Sequence, residues 1–161
     1  MESDIRMALF GRVNWKHVIT TAIAAWICLV LARWFRLSQG YWACISSIVM
    51  VHMKVTDTWA IARDRIAGTA VGALMGWGAV SIWHGHALIY GLAILLSGLL
   101  TPALRFKSGG GFAGVAATIV MLVPTSHPHW EMAEGRFIEV SLGILVSVIV
   151  SQLIWRESEI D

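Results

Sequence analysis

The sequence predicts an all-α integral membrane protein of six transmembrane helices, with both termini in the cytoplasm. Three observations carry that reading. The chain of 161 residues is 57% hydrophobic and only 14% charged, with a mean hydropathy of +0.70. About a quarter of an ordinary soluble domain is charged, so this chain cannot keep a surface wet. Apolar runs of near-spanning length recur along it, separated by short connections. Basic residues gather at one set of run ends.

The first run is about His17 to Trp34, and the second, about Gly40 to Met53, is short unless it continues towards Asp57. The third is about Ala60 to Trp83 and carries its charges at its start. The fourth, fifth and sixth are about Ala87 to Leu104, Gly110 to Val123 and Phe137 to Trp155. A spanning helix needs about 20 apolar residues. Short connections make consecutive helices antiparallel neighbours, and residues 1–161 read as one membrane domain. Residues 1–16 form a cytoplasmic lead-in that can fold as an amphipathic helix. They lack the pattern of a cleaved signal, so the first span is expected to act as an anchor.

Arg6, Arg12, Lys16, Lys54, Arg63, Arg65, Arg105, Lys107 and Arg156 fall at one set of span ends, against Arg33, Arg36 and Arg136 at the other. The richer side is the cytoplasmic one. Trp34, Trp42, Trp59, Trp83, Trp130 and Trp155 stand at span ends, where interfacial anchors belong. Cys28 and Cys44 lie inside apolar runs and read as small hydrophobes. A shift of 71 positions lays Ile48-Val49-Met50 on Ile119-Val120-Met121, Arg65 on Arg136 and Gly72 on Gly143. With three helices per half, such a repeat would be inverted, a frequent transporter plan.

The third run holds the most informative stretch, RDRIAGTAVGALMGWG. Gly68, Gly72 and Gly76 are four apart and form one narrow helical stripe. Lipid gives apolar side chains no reason to cluster, so such stripes let backbones approach each other. Arg65 falls within the stripe and Arg63 nearly opposite it. An interior arginine needs a carboxylate, a carbonyl or an anionic ligand. Asp57, Asp64 and Glu139 are the candidate partners in the chain, and attraction of a substrate anion is the alternative. Gly143, Ser147 and Ser151 make a second small-residue stripe, with Arg136 and Glu139 on the same face at the outer end of the sixth helix. Glu139, about one turn into the span, is a candidate proton carrier or half of a local ion pair. His52 can titrate near neutral pH and is the second proton-coupling candidate.

Several chemistries are not indicated. The pairs His84/His86 and His127/His129 lack the cysteines or second carboxylate layer of a metal site. KSGGGFAG has no lysine–hydroxyl ending and is not a phosphate loop. No catalytic set converges, so an enzyme, a cofactor and a nucleic-acid partner are not expected.

GYWACISSIVMV, the basic turn KVTDTWAIARDR and the following RIAGTAVGALMG resemble the transmembrane half of fusaric acid resistance-like proteins, the aromatic acid exporter family. The matching positions are Tyr41, Trp42, Arg65, Gly68, Thr69, Gly72 and Gly76, and RFIEVSLGILVSVIVSQLIW is similar to the closing helix of that family. The resemblance implies export of aromatic carboxylates or similar organic anions from the cytoplasm across a bacterial inner membrane. Larger members add a cytoplasmic domain or six further helices and work with a periplasmic adaptor protein. This sequence has the membrane unit alone, which makes a homo-oligomer the expected assembly. On this reading Arg65, with Lys54 and Arg63 nearby, concentrates organic anions at the inner mouth. Tyr41 and Trp42 serve aromatic stacking or interfacial anchoring. A proton-driven exporter, a passive anion channel and a non-transporting scaffold subunit of a larger efflux complex all fit this outline.

Overall fold

The computed structural model describes residues 14–51, 58–82 and 86–156, and all the regular secondary structure among these is helical. The helices are α1 (Trp15–Trp34), α2 (Tyr41–Val51), α3 (Thr58–Ile82), α4 (Ala87–Ala103), α5 (Gly110–Leu122) and α6 (His129–Arg156). Three of them, α1, α3 and α6, are long and apolar enough to cross a bilayer, and α2, α4 and α5 are shorter apolar helices. Leu88, Leu92, Leu95, Leu96 and Leu99 of α4 are all exposed, as the lipid-facing side of a membrane helix requires. His52, Lys54, Asp57 and His84 lie outside the described residues.

The sixth helix departs from expectation. It begins at His129 rather than near Phe137, so Arg136 and Glu139 sit two turns or more inside it instead of at its outer end. Pro128 supplies the reason. Its carbonyl accepts the N–H of Glu131 at 3.0 Å, and Glu131 places a negative charge in the first turn, where the helix dipole favours one. A polar first turn hid the start of the helix.

Glycine seams hold the bundle together. A Cβ on Gly68 would fall on the carbonyl of Gly109, one on Gly72 on that of Ala113, and one on Gly76 would lie 2.9 Å from that of Ala117. These contacts ascend together along both helices, so α3 and α5 run parallel in backbone contact. Gly143 presses α6 against the carbonyl of Ala43 in α2 in the same manner. Where α3 meets α6 the order reverses: Ala62 packs with Ile144 and Val148, whereas Ala73 packs with Met132 and Ala133. These two helices are antiparallel. Around them α1 packs on α2 and α6, and α4 packs on α5 and α3.

Each of these contacts has a counterpart when α1, α2 and α3 are exchanged with α4, α5 and α6. The loops repeat as well. The N–H groups of Arg36 and Leu37 bond the carbonyls of Arg33 and Ala32, and those of Arg105 and Phe106 bond the carbonyls of Pro102 and Thr101. Both are Schellman closures with a left-handed residue after the helix. Arg36 has φ 52° and Arg105 φ 69°, where glycine is usual. The fold is therefore two interlocked three-helix halves related by an inverted repeat.

The seams predict sharp steric intolerance. Gly72→Ala, whose new methyl meets backbone, should cost about 1–3 kcal/mol and lower the apparent melting temperature in detergent by several degrees. Gly78→Ala, which meets open space, should leave it unchanged.

Candidate functional site

Arg65 and Arg136 approach one cavity from opposite halves. The cavity holds about 250 Å3 and lies between α2 and α5, with α3 and α6 behind it. Its walls are mostly apolar, including Ile45, Val49, Val115, Ile119 and Val140. α2 and α5 form its facing walls.

The helix geometry explains how charge reaches this depth. Arg65 stands one turn before Gly68, so the close α3–α5 seam carries its guanidinium against α5, with Cζ 4.3 Å from the centre of the Phe112 ring. Arg136 stands two turns before Gly143, and its Cζ lies 4.5 Å from the centre of the Trp42 ring in α2. Each half thus builds one arginine–aromatic pair, a favourable arrangement for a desolvated cation. Both arginines are buried, at 6% and 1% exposure.

Their hydrogen bonding differs. Arg136 Nη1 is 3.4 Å from Glu139 Oε2, and its Nη2 donates to Gln39 Oε1. Arg65 Nε and Nη1 are buried with no acceptor. The neighbouring Asp64 is turned elsewhere: its Oδ2 accepts the N–H of Ser108 at 3.1 Å and its Oδ1 the Nη2 of Arg63 at 3.2 Å. Glu139 Oε1 likewise accepts the N–H of Gln39 at 2.8 Å. Each carboxylate ties down the loop of the opposite half, but only Glu139 also pairs with a cavity arginine. Arg136 Nε and Trp42 Nε1 are buried without acceptors too. The unpaired buried polar atoms of the lining are therefore all donors. Such a cavity is complementary to an anion with an apolar body.

The remaining candidates are spread around the site. Arg63 is largely exposed and lies over the Phe106 ring at 5.7 Å, away from the cavity. Tyr41 is exposed and donates its hydroxyl to Gln39 Oε1 at 3.0 Å. Trp42 turns inward, whereas Trp34, Trp59 and Trp130 are exposed. Thr69 donates to the Arg65 carbonyl at 2.9 Å and Ser147 to that of Ile144 at 2.8 Å. Lys54 and His52 lie outside the described residues. His127 pairs with Glu131, and His129 Nδ1 lies 3.1 Å from the Val120 carbonyl. No three histidine, cysteine or acidic side chains cluster to hold a metal among the described residues. Gln39 and Phe112 were missed by sequence reasoning. The Arg65/Arg136 offset of 71 lays Trp42 on Ala113, and only a one-residue slip pairs it with Phe112.

Residues 12–150 match the fusaric acid resistance protein-like family. The chain belongs to that family. It is 26% identical to an uncharacterized transporter of Escherichia coli K12, YdhK, over 91% of this chain and 23% of that protein. The Salmonella typhimurium YdhK is equally similar over the same shares. An uncharacterized Schizosaccharomyces pombe protein, C57A7.05, is 31% identical over 88% of this chain and 12% of its own length. The chain thus spans about a quarter or less of these relatives. No solved structure is significantly similar. Family and helices together make this a multi-pass membrane protein related to transporters.

Glu139 should be indispensable while Arg136 is present. Glu139→Ala should cost about 3–5 kcal/mol, because it leaves a buried cation uncompensated. The double variant Arg136→Met/Glu139→Ala should recover most of that loss in thermal unfolding. A double variant no more stable than Glu139→Ala would show that the loop cap, not the charge pair, dominates.

Proposed function

We propose that this chain is the membrane unit of an exporter that carries aromatic carboxylate anions out of the cytoplasm across a bacterial inner membrane. The observation that carries the proposal is Arg65: a buried guanidinium over Phe112, with Nε and Nη1 unpaired, lining an apolar cavity. A carboxylate would supply the missing counter-charge, and an aromatic ring would replace lipid-like contacts with the walls. Kinship to a transporter supports movement of the ligand rather than simple storage.

In this reading all six helices span, with both termini cytoplasmic. Arg65 then sits towards the inner end of the cavity and Arg136 towards the outer end. Two inverted halves around one midplane site suit alternating access, in which each half in turn opens to its own side. α2 and α5 make little contact with each other, so a second copy of the chain would enclose the path, and a homo-oligomer is the proposed working form. Coupling to the proton gradient would run through Glu139, whose protonation would release Arg136, with His52 as a second candidate.

A passive anion channel is the second reading. What favours it is that Glu139 already accepts from both Arg136 and the Gln39 N–H, a tight engagement that a proton would have to break.

Flux of labelled 4-hydroxybenzoate into proteoliposomes containing this protein alone decides between them. Arg65→Gln should lower the initial rate on the order of 10- to 100-fold, the range for losing one charge-assisted hydrogen-bonding partner. Gradient-driven uphill flux that fails in Glu139→Gln while downhill flux persists is the exporter outcome. Downhill flux indifferent to pH is the channel outcome. Unchanged flux in folded Arg65→Gln would remove Arg65 from the site.

A further inference from the structure

The crossing of α3 and α6 carries a second hollow, separate from the cavity between α2 and α5. Arg136 lines that cavity, whereas the next residue, Phe137, lines a groove of about 380 Å3 on another flank. α3 divides in the same way, with Thr69 on the cavity and Ala70 on the groove. Ala73 and Ala133 are buried and make the floor of the groove, while Trp77, Trp130 and Phe137 are exposed along its edges. Among the described residues Glu134 is the one charged group of the lining. The groove belongs to one half only. A shift of 71 positions carries Ala73 to Ile144 and Trp77 to Val148. There Ile144 and Val148 pack with Ala62, and Ile66 lies against them, so side chains fill the corresponding place.

Chemically the groove has two unlike ends. α6 has 28 residues, about 42 Å at 1.5 Å each, against about 30 Å of hydrocarbon. Its first two turns, with Trp130 and Glu134, therefore stand at the boundary between headgroups and acyl chains. From there the groove runs inward between α6 and the antiparallel α3, past Phe137 and Leu74 to Ala70. It is acidic at headgroup level and apolar below. The neighbouring carboxylate, Glu131, has a partner in His127 at 3.4 Å. Glu134 is exposed and has no ion pair among the described residues. A second copy seated on the groove by a two-fold axis would bring two such carboxylates together, and like charges there repel.

We infer that this groove is a lipid site, which takes an acyl chain of phosphatidylethanolamine while the primary ammonium of the headgroup pairs with Glu134. A primary ammonium offers three donors to a carboxylate. The trimethylammonium of phosphatidylcholine offers none, and the headgroup of phosphatidylglycerol has no cation. The indole of Trp130, at the same level, also suits a cation. The inference is independent of which ligand occupies the cavity between α2 and α5.

The test is native mass spectrometry of the whole protein in detergent, with the three phospholipids carrying identical acyl chains. The native protein should retain phosphatidylethanolamine at least fivefold better than phosphatidylcholine. Glu134→Gln should bring the two within twofold of each other and leave retention of phosphatidylglycerol unchanged. Ala70→Leu adds bulk at a half-buried position at the inner end of the groove. It should lower retention of phosphatidylethanolamine at least fivefold, and it also serves if Glu134→Gln folds poorly.

Equal native retention of phosphatidylethanolamine and phosphatidylcholine overturns the inference. So does a preference that survives in folded Glu134→Gln, an equal loss of phosphatidylglycerol in that variant, or undiminished phosphatidylethanolamine in folded Ala70→Leu. A dimer in detergent that Ala70→Leu dissociates also overturns it, and assigns the groove to a second copy of the chain.

Discussion

Everything in this protein depends on backbone reaching backbone. Inside a bilayer, apolar side chains are as well solvated by lipid as by each other, so helices are held by close contact instead. Gly68, Gly72 and Gly76 let α3 lie against the carbonyls of Gly109, Ala113 and Ala117, and Gly143 does the same for α6 against Ala43. Many of the buried residues are accordingly small, among them Ala24, Cys28, Ala43, Ala113, Ala117, Ser47 and Ser147. This packing also determines the chemistry. Because α3 and α5 nearly touch along the seam, the side chain of Arg65 reaches the ring of Phe112 and is kept from lipid. A wider seam would let that arginine extend to the interface, where its charge would be hydrated and of no use to a ligand.

The inverted repeat multiplies this arrangement and then varies it. Gly143, Arg136 and Trp42 repeat the roles of Gly72, Arg65 and Phe112, and Glu139 caps the α1–α2 loop as Asp64 caps the α4–α5 loop. Two identical halves would put two uncompensated arginines in one small cavity, where they would repel each other at low dielectric. One changed partnership removes that problem: Glu139 turns to its own arginine, whereas Asp64 turns to Arg63 on the exposed side. Symmetry thus supplies the scaffold, and its breaking leaves one cavity arginine without a carboxylate partner.

Much of this was legible in the sequence because membrane helices display their constraints openly. Apolar runs located all six helices, and the spacing of Gly68, Gly72 and Gly76 located the main seam. The misreadings share one physical cause, that polar residues were assigned to helix ends. Glu131, Glu134 and Arg136 concealed the first two turns of α6, although buried polar groups inside a bundle can satisfy one another. Trp42 fits an interfacial anchor by position, yet its ring faces Arg136. The repeat was only half visible because its offset drifts. Arg36 and Arg105 are 69 positions apart, Trp42 and Phe112 are 70 apart, and Gly72 and Gly143 are 71 apart. The extra glycine at the start of α5 accounts for the first slip. A search that allows single-residue slips pairs FRLSQG with LRFKSG, and so pairs the two left-handed arginines that end α1 and α4.

The lone charge at Arg65 finally explains why a cavity should persist in so tightly packed a bundle. An arginine inside a membrane costs about 2.5–3.5 kcal/mol even by the more lenient measures, and here the cation–π contact with Phe112 offsets only part of that. Closing the walls further onto an unpaired cation would raise the cost, and on the proposed transport reading an anion pairing with Arg65 would remove that penalty. In the alternating-access cycle proposed above, that difference is what a substrate would have to provide: it would stabilise the closed, centred state more than either open one. Arg65 would make that stabilisation conditional on a negative charge. The apolar walls would make it conditional on a body that leaves no water behind.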